Sequence, residues 1–262
     1  MDLGLKGKSA LVLASSSGLG KGIALEMARE QAKVMLFSSS ESKLKEAQAD
    51  IEKATGNRPE YFVGDITNAE DIKNLVKTAV EKNGPIYALV NNTGGPKPGV
   101  FTSLNDEDWQ KGFELCLLSY VRAIRECLPY MIENKGGRIL CSTSSSVKVM
   151  FDNLLLSNSF RMGVVGLAKT LSSEHGKDNI LVNVIGPARV ETARLNQVND
   201  LTAEKMGISV DEVKAGQLGS IPLGRYGNIE EFGRFATFLC SEANTYLTGQ
   251  TILFDGGMIK AY

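Results

Sequence analysis

The chain has 262 residues, 43% hydrophobic and 23% charged, a length and composition that suit one soluble α/β domain. A formal net charge of -1 supplies no long-range field for nucleic acid or an anionic membrane surface, and no run of about 18 apolar residues is present to span a bilayer. Cys116, Cys127, Cys141 and Cys240 are scattered without a Cys-x-x-Cys pair and His175 is the sole histidine, so reduced thiols in a cytoplasmic protein are expected, with no metal site and no His-based triad.

Short apolar runs alternate with longer amphipathic segments. Residues 9–14 read as a strand that feeds Ala14-Ser15-Ser16-Ser17-Gly18-Leu19-Gly20, where a helix over 18–30 begins. Ile23, Ala24, Met27 and Ala28 share one face of it. A helix N-terminus offers unpaired N–H groups and a positive dipole end, which suit a pyrophosphate, and Gly18 and Gly20 allow close backbone approach. Glycine turns serve many purposes, but one placed after a first strand and before a helix points to a dinucleotide. A strand over 33–37 then ends in Ser38-Ser39-Ser40 ahead of a helix over 41–55. The strand over 60–63 ends in Gly64-Asp65-Ile66 and precedes a helix over 69–83. The strand over 86–90 ends in Asn91-Asn92-Thr93-Gly94. Taken singly, Asp65 reads equally as a turn residue or helix cap, and Asn91 and Asn92 as a strand-ending turn.

A long helix is expected over 106–134, then a strand over 138–142 that runs into the hydroxyl-rich Ser142-Thr143-Ser144-Ser145-Ser146. A helix over 157–175 follows, with His175 capping its dipole, then a strand over 181–185. Residues 188–222 break the rhythm, with short helices expected over 192–199 and 209–218. An insertion at the C-terminal end of a strand reads as a binding loop or substrate lid. A helix over 229–240 and a strand over 251–254 complete the pattern. Near-continuous apolar strands alternating with helices predict a Rossmann-type, doubly wound α/β fold: a parallel seven-stranded sheet with helices on both faces.

In this order the motifs resemble those of the short-chain dehydrogenase/reductase superfamily over nearly the whole chain, most of all its 3-oxoacyl-acyl-carrier-protein reductase subgroup. The family's Thr-Gly-x-x-x-Gly-x-Gly fingerprint meets Leu13-Ala14 and then Gly18 and Gly20. Asn91-Asn92-Thr93-Gly94 stands for its Asn-Asn-Ala-Gly. Asn183-Val184-Ile185-Gly186-Pro187-Ala188-Arg189-Val190-Glu191-Thr192 resembles its nicotinamide segment, with Ala188 for Gly. Leu247-Thr248-Gly249-Gln250 and Phe254-Asp255-Gly256-Gly257 resemble its C-terminal signature. The resemblance implies a nicotinamide dinucleotide held by Ser16, Ser17, Gly18, Leu19, Gly20, Ser38, Ser39, Asp65, Ile66, Asn91, Thr93, Gly94, Arg161, Pro187, Val190 and Thr192. It also implies a small-molecule substrate and a homodimer or homotetramer built on the helices over 106–134 and 157–175. Leu115, Leu117, Leu118, Val121 and Ile124 suit either the core or such an interface. The second strand lacks the terminal acid that binds ribose hydroxyls in NAD sites, while Ser38, Ser39 and Ser40 can donate to a 2′-phosphate. NADP(H) is therefore favoured over NAD(H), although Ser39 stands where many NADP-dependent members carry Arg. Lys43 is either a phosphate contact or a solvated helix residue.

The family's chemistry uses Tyr and Lys four residues apart, a Ser and an Asn. Here the Tyr position reads Ser157, the Lys position Arg161 and the Asn position Cys116; only Ser144 remains of the four. None of the seven tyrosines is followed four residues later by Lys. A serine hydroxyl is a far weaker acid than a phenol, whereas Arg161 can polarise a carbonyl, bind ribose or bind a carboxylate. Ser144 reads also as a turn hydroxyl, Arg161 as a surface ion-pair partner and Cys116 as a small packed residue. Two functions stay open. One is an NADP(H)-dependent oxidoreductase acting on a carbonyl or activated alkene through an atypical proton route that uses Ser144, Ser157 and Arg161. The other is a non-catalytic dinucleotide or ligand binder used for sensing or scaffolding.

Overall fold

A computed structural model describes residues 2–261. Seven parallel strands, β1 (Ser9–Val12), β2 (Lys33–Ser38), β3 (Glu60–Val63), β4 (Ile86–Asn91), β5 (Gly137–Ser142), β6 (Ile180–Pro187) and β7 (Thr251–Phe254), lie in the order β3-β2-β1-β4-β5-β6-β7. The order reverses between β1 and β4. In a doubly wound sheet such a reversal is where a binding crevice forms, at the strands' C-terminal ends.

Successive strand residues face opposite sides, so each face collects its own core. On one side Val12, Leu36 and Ala88 pack against helices α1 (Gly18–Arg29), α2 (Glu41–Thr55) and α9 (Ile229–Leu239) through Ile23, Met27, Leu44 and Phe232. On the other side Leu11, Leu89 and Val182 meet α3 (Ala69–Asn83), α5 (Ser119–Glu133) and α6 (Leu155–Glu174) through Leu75, Tyr120, Ile124 and Val164. Cover on both faces is why the strands read as unbroken apolar runs. Each fully buried Leu, Ile or Phe contributes roughly 1.5–3 kcal/mol. Helix α9 touches α1 backbone to backbone: a Cβ on Gly22 would lie 2.6 Å from the Ile229 carbonyl oxygen. That contact fixes α1, whose first turn forms part of the crevice.

The helix expected over 106–134 runs without interruption as α4 (Asp106–Phe113), one π turn (Glu114–Leu118) and α5, the π turn being the feature the sequence did not announce. One expectation is corrected. In the connection after β6, the first helix does not stop at Asn199 but runs as α7 (Ala193–Met206), ending where Gly207 takes a left-handed φ of 66°. Asn199 is interior, its Oδ1 accepting from Gln217 Nε2 of α8 (Val210–Leu218) at 2.9 Å.

Burial leaves several weak acids neutral. It pushes the Cys141 and Cys240 thiols up to about 12 and the Tyr87 phenol up to about 12. The unfolded chain ionises these groups earlier, from the ordinary thiol value of 9.0 upward. Their stabilising share is therefore complete below that value and is lost as pH rises through the folded values. The thermal midpoint is expected to fall steeply between about pH 9 and 12. A midpoint that holds level across that window in a pH-stepped melting series would contradict the buried, neutral state of these groups.

Candidate functional site

The first wall of the crevice is the turn between β1 and α1. Ala14 sits there at φ 47°, a left-handed conformation that suits glycine, and the turn is kept despite its methyl group. Asn92 Nδ2 donates to the carbonyls of Leu13 at 3.4 Å and Ala14 at 3.3 Å, bracing the turn from the end of β4. A Cβ on Gly20 would collide with the Ala14 carbonyl oxygen, so only glycine lets α1 begin this close to β1. Ser17 occupies the α1 N-cap without a side-chain cap bond, and the first turn carries no acid. The N–H groups and dipole end there stay available to an anion. Replacing Ala14 by Gly relieves a left-handed strain of roughly 1–2 kcal/mol against a smaller entropy cost, so a gain of about 0.5–1 kcal/mol is expected in urea unfolding. A loss instead would show that the methyl group makes packing contacts of greater value.

The ends of β2 and β3 form the second wall. Ser16 Oγ donates to Ser38 Oγ at 2.9 Å, joining the glycine turn to β2. Ser39 and Ser40 follow at the N-terminal end of α2, and Ser40 caps that helix without a side-chain bond. The first acid, Glu41, is drawn to Lys45 at 2.9 Å; that hydrogen bond and ion pair hold its carboxyl below the usual carboxylate range. Asp65 folds its carboxylate onto Thr67, accepting from its N and Oγ1, both at 2.8 Å. Ile66 beside it is half-buried.

The third wall gathers the β4, β5 and α6 groups. Asn91 lies within the sheet, with Nδ2 3.9 Å from Cys141 Sγ and Oδ1 unpartnered, whereas Thr93 and Gly94 lie on the rim. Ser144 Oγ accepts from Ser146 N at 3.2 Å, capping the short 3-10 turn Ser145–Val147. It is Ser146 whose hydroxyl reaches Ser157, at 3.4 Å. Arg161 stands one helical turn beyond Ser157. It is 5% exposed and donates to the carbonyls of Ser142 at 3.4 Å and Gly94 at 3.3 Å. The same Ser142 carbonyl accepts the Tyr120 hydroxyl at 2.5 Å. Cys116 sits in the π turn, and burial pushes both its thiol and the Tyr120 phenol up, partly opposed by the Arg161 charge. Helix α6 is held against α4 by Phe160, edge-on to Trp109.

The β6–α9 connection lies beside the glycine turn. Pro187 ends β6, Val190 bridges to Gly227, and Thr192 caps α7 by accepting from Leu195 N at 3.2 Å. Thr192 also reaches the glycine turn: a Cβ on Gly18 would lie 3.7 Å from its Cγ2. Two cavities lie at the base of this connection. One of about 240 Å³ is lined by Arg189, Arg225 and Phe254 among others, and one of about 400 Å³ by Lys214 and Tyr226 among others. Neither is lined by Ser144, Ser157 or Arg161.

The structure thus brings Ser16, Ser17, Gly18, Leu19, Gly20, Ser38 and Thr192 to one side, and Gly94, Ser157 and Arg161 to the other. Asn92 and Ser146 are the residues that sequence reasoning passed over. Asn92 was legible as the neighbour of Asn91 with the opposite strand face, while Ser146 carried no signal to separate it from four adjacent hydroxyls. Among the described residues no cluster suited to a metal ion exists, and no helix is long and apolar enough to cross a membrane.

Residues 13–259 match the protein family described as Enoyl-(Acyl carrier protein) reductase. The chain is similar to the 3-oxoacyl-[acyl-carrier-protein] reductase FabG of Thermotoga maritima, with 31% identity covering 97% of this chain and 99% of the relative. It is 28% identical to the NADPH-dependent reductase BacG of Bacillus subtilis, covering 97% and 98%. Its fold superposes on L-sorbose reductase from Gluconobacter frateurii, complexed with NADPH and L-sorbose, at a TM-score of 0.95 and 30% identity over 100% of both chains.

Proposed function

The chain belongs to the short-chain dehydrogenase/reductase superfamily, and from that premise we propose that it is an NADP(H)-dependent oxidoreductase that reduces a carbonyl or activated alkene without a tyrosine proton donor. Reductases among its relatives support the activity, and NADPH in the names of BacG and of the sorbose reductase complex supports the cofactor. The uncapped α1 N-terminus and the glycine cradle fit a dinucleotide.

When bound, that group supplies the hydride. The chain's own residues do the rest. Ser16, Ser17, Gly18, Leu19 and Gly20 would hold the pyrophosphate, and Ser38 and Ser39 would serve a 2′-phosphate, with Glu41 paired to Lys45. Asp65 and Ile66 would hold the adenine, and Asn91, Thr93, Gly94, Pro187, Val190 and Thr192 the nicotinamide half. Residues 188–222 form the lid over one continuous domain, and pairing through α4–α5 and α6 gives a homodimer or homotetramer.

One observation carries the proton route. The groups gathered around Arg161 are hydroxyls of Ser146 and Ser157 and two acids, Cys116 and Tyr120, that burial keeps neutral. Both acids are fully buried, and the Tyr120 hydroxyl is already committed to the Ser142 carbonyl, so neither is placed to hand its proton to a substrate in the crevice. Water that enters the crevice is therefore the proton source for the product anion. An alkoxide is a strong base that needs its proton at once, whereas an enolate spreads its charge and can wait. This favours an activated alkene, with Ser157 and Arg161 stabilising the developing oxyanion and Ser144 shaping the loop beneath them. The same missing acid favours the second reading, a binder without turnover.

Calorimetric titration with NADPH and NADH tests the proposal. NADPH is expected to bind at least about tenfold tighter, equivalent to about 1.4 kcal/mol. A conjugated alkene is then expected to oxidise bound NADPH faster than a simple ketone. Binding of neither dinucleotide would defeat the oxidoreductase reading; binding without turnover of either substrate type would leave the sensing role.

A further inference from the structure

We propose that Arg161 is the receptor for an anionic group of the substrate, a carboxylate conjugated to the bond that is reduced; this rests on the oxidoreductase reading. A guanidinium is a permanent cation, and a buried cation is normally paired. Arg161 is 5% exposed, yet it forms no salt bridge among the described residues, its Nε has no partner, and its two carbonyl bonds are long at 3.4 and 3.3 Å. Its ionisable neighbours, Cys116 and Tyr120, are kept neutral by burial and supply no counter-charge.

A second buried arginine shows what a purely structural one looks like here. Arg138, 4% exposed, fills its fork with the carbonyls of Ser241, Gly137, Asn179 and Asn244 at 2.9–3.3 Å. Its Cζ lies 5.5 Å from the centroid of the Tyr87 ring. Arg161 has half those carbonyls, a neutral Tyr120 hydroxyl beside it and, among the described residues, no aromatic face under its guanidinium, and it stands at the strands' C-terminal ends where Arg138 does not. Ribose hydroxyls of a cofactor are neutral and would leave the charge uncompensated. A carboxylate matches the planar fork with two parallel charge-assisted bonds, which a lysine cannot offer. Ser157, one turn earlier on the same helix face, adds a hydroxyl donor beside it.

The test uses the full-length protein loaded with NADP+, titrated calorimetrically with crotonate and with methyl crotonate, which differ in the charge. Crotonate is expected to bind at least about tenfold tighter in the native protein, and Arg161→Met is expected to remove the difference. Arg161→Lys should keep only part of it, because the point charge remains and the fork is lost. Without ligand, Arg161→Met should melt higher, by about 2–4 °C, since an uncompensated buried charge is gone. A lower midpoint would overturn the proposal by making Arg161 a structural residue. So would equal binding of acid and ester, or a preference that survives Arg161→Met. Failure of the native protein to take up NADP+ defeats instead the oxidoreductase reading beneath the proposal.

Discussion

The double substitution Ser157→Tyr with Arg161→Lys is expected to raise the rate of NADPH-dependent ketone reduction by on the order of 10²–10³, within the range that one placed general acid supplies. Ser157 and Arg161 occupy consecutive turns of one face of α6, so the new phenol and ammonium would meet as neighbours. The ammonium lowers the phenol from its ordinary value near 10 and makes it a competent donor. Either substitution alone should achieve less: Tyr beside Arg161 is tuned by the guanidinium charge, but that group is directed to the Gly94 and Ser142 carbonyls and not to the phenol oxygen, and Lys beside a serine hydroxyl lacks an acid worth tuning. The measurement is NADPH consumption with a simple ketone and with a conjugated alkene for all four proteins. If native protein already reduces the ketone as fast as the double variant, a proton donor exists outside this cleft. If the double variant folds and binds NADPH yet gains nothing, the absent acid is not what limits the native site.

The sheet and most helices were legible because they obey local rules. Asn68 caps α3 by accepting from Glu70 N and Asp71 N, and Gly56 ends α2 at φ 71°; both signals are visible as residue types. The π turn at Glu114–Leu118 was not, since Glu and Leu are good helix formers and nothing in the residue types announces an extra residue per turn. The full length of α7 is not visible in residue types: Asn199 is fully buried as a partner of Gln217 in α8, a contact made in space and not along the chain. Within the crevice, residue types were readable but their facing was not. Asn91 and Asn92 point to opposite sides of one strand end, so the bracing of the Ala14 turn falls to the second. Ser144 and Ser146 exchange duties through a three-residue 3-10 turn that no composition rule announces. The isolation of Arg161 is a property of what surrounds it in space, and so lay beyond any reading of spacing.

Arg138→Met is expected to cost about 3–5 kcal/mol, because it strands buried carbonyls that nothing else can satisfy. Met fills most of the volume, so the loss isolates hydrogen bonding from cavity formation. Ser241 and Asn244 lie just beyond the C-terminal end of α9, and their carbonyls meet Arg138 at 3.0 Å each, while Asn179 precedes β6. The side chain thus ties the start of β5, the approach to β6 and the end of α9 into one unit. Bonds from a charged donor contribute about 1.5–3 kcal/mol each when both partners are buried, and partial solvation of the freed carbonyls brings the sum down. For a chain of this length the loss corresponds to a drop of about 8–15 °C in melting midpoint. The effect on cofactor affinity should be small by comparison, since Arg138 stands at the strands' N-terminal edge, opposite the crevice. A melting midpoint within about 2 °C of native would mean that backbone shifts or water readily replace the arginine. A collapse in NADPH affinity without loss of stability would mean that β5 transmits its position to Ser142 and the Arg161 site.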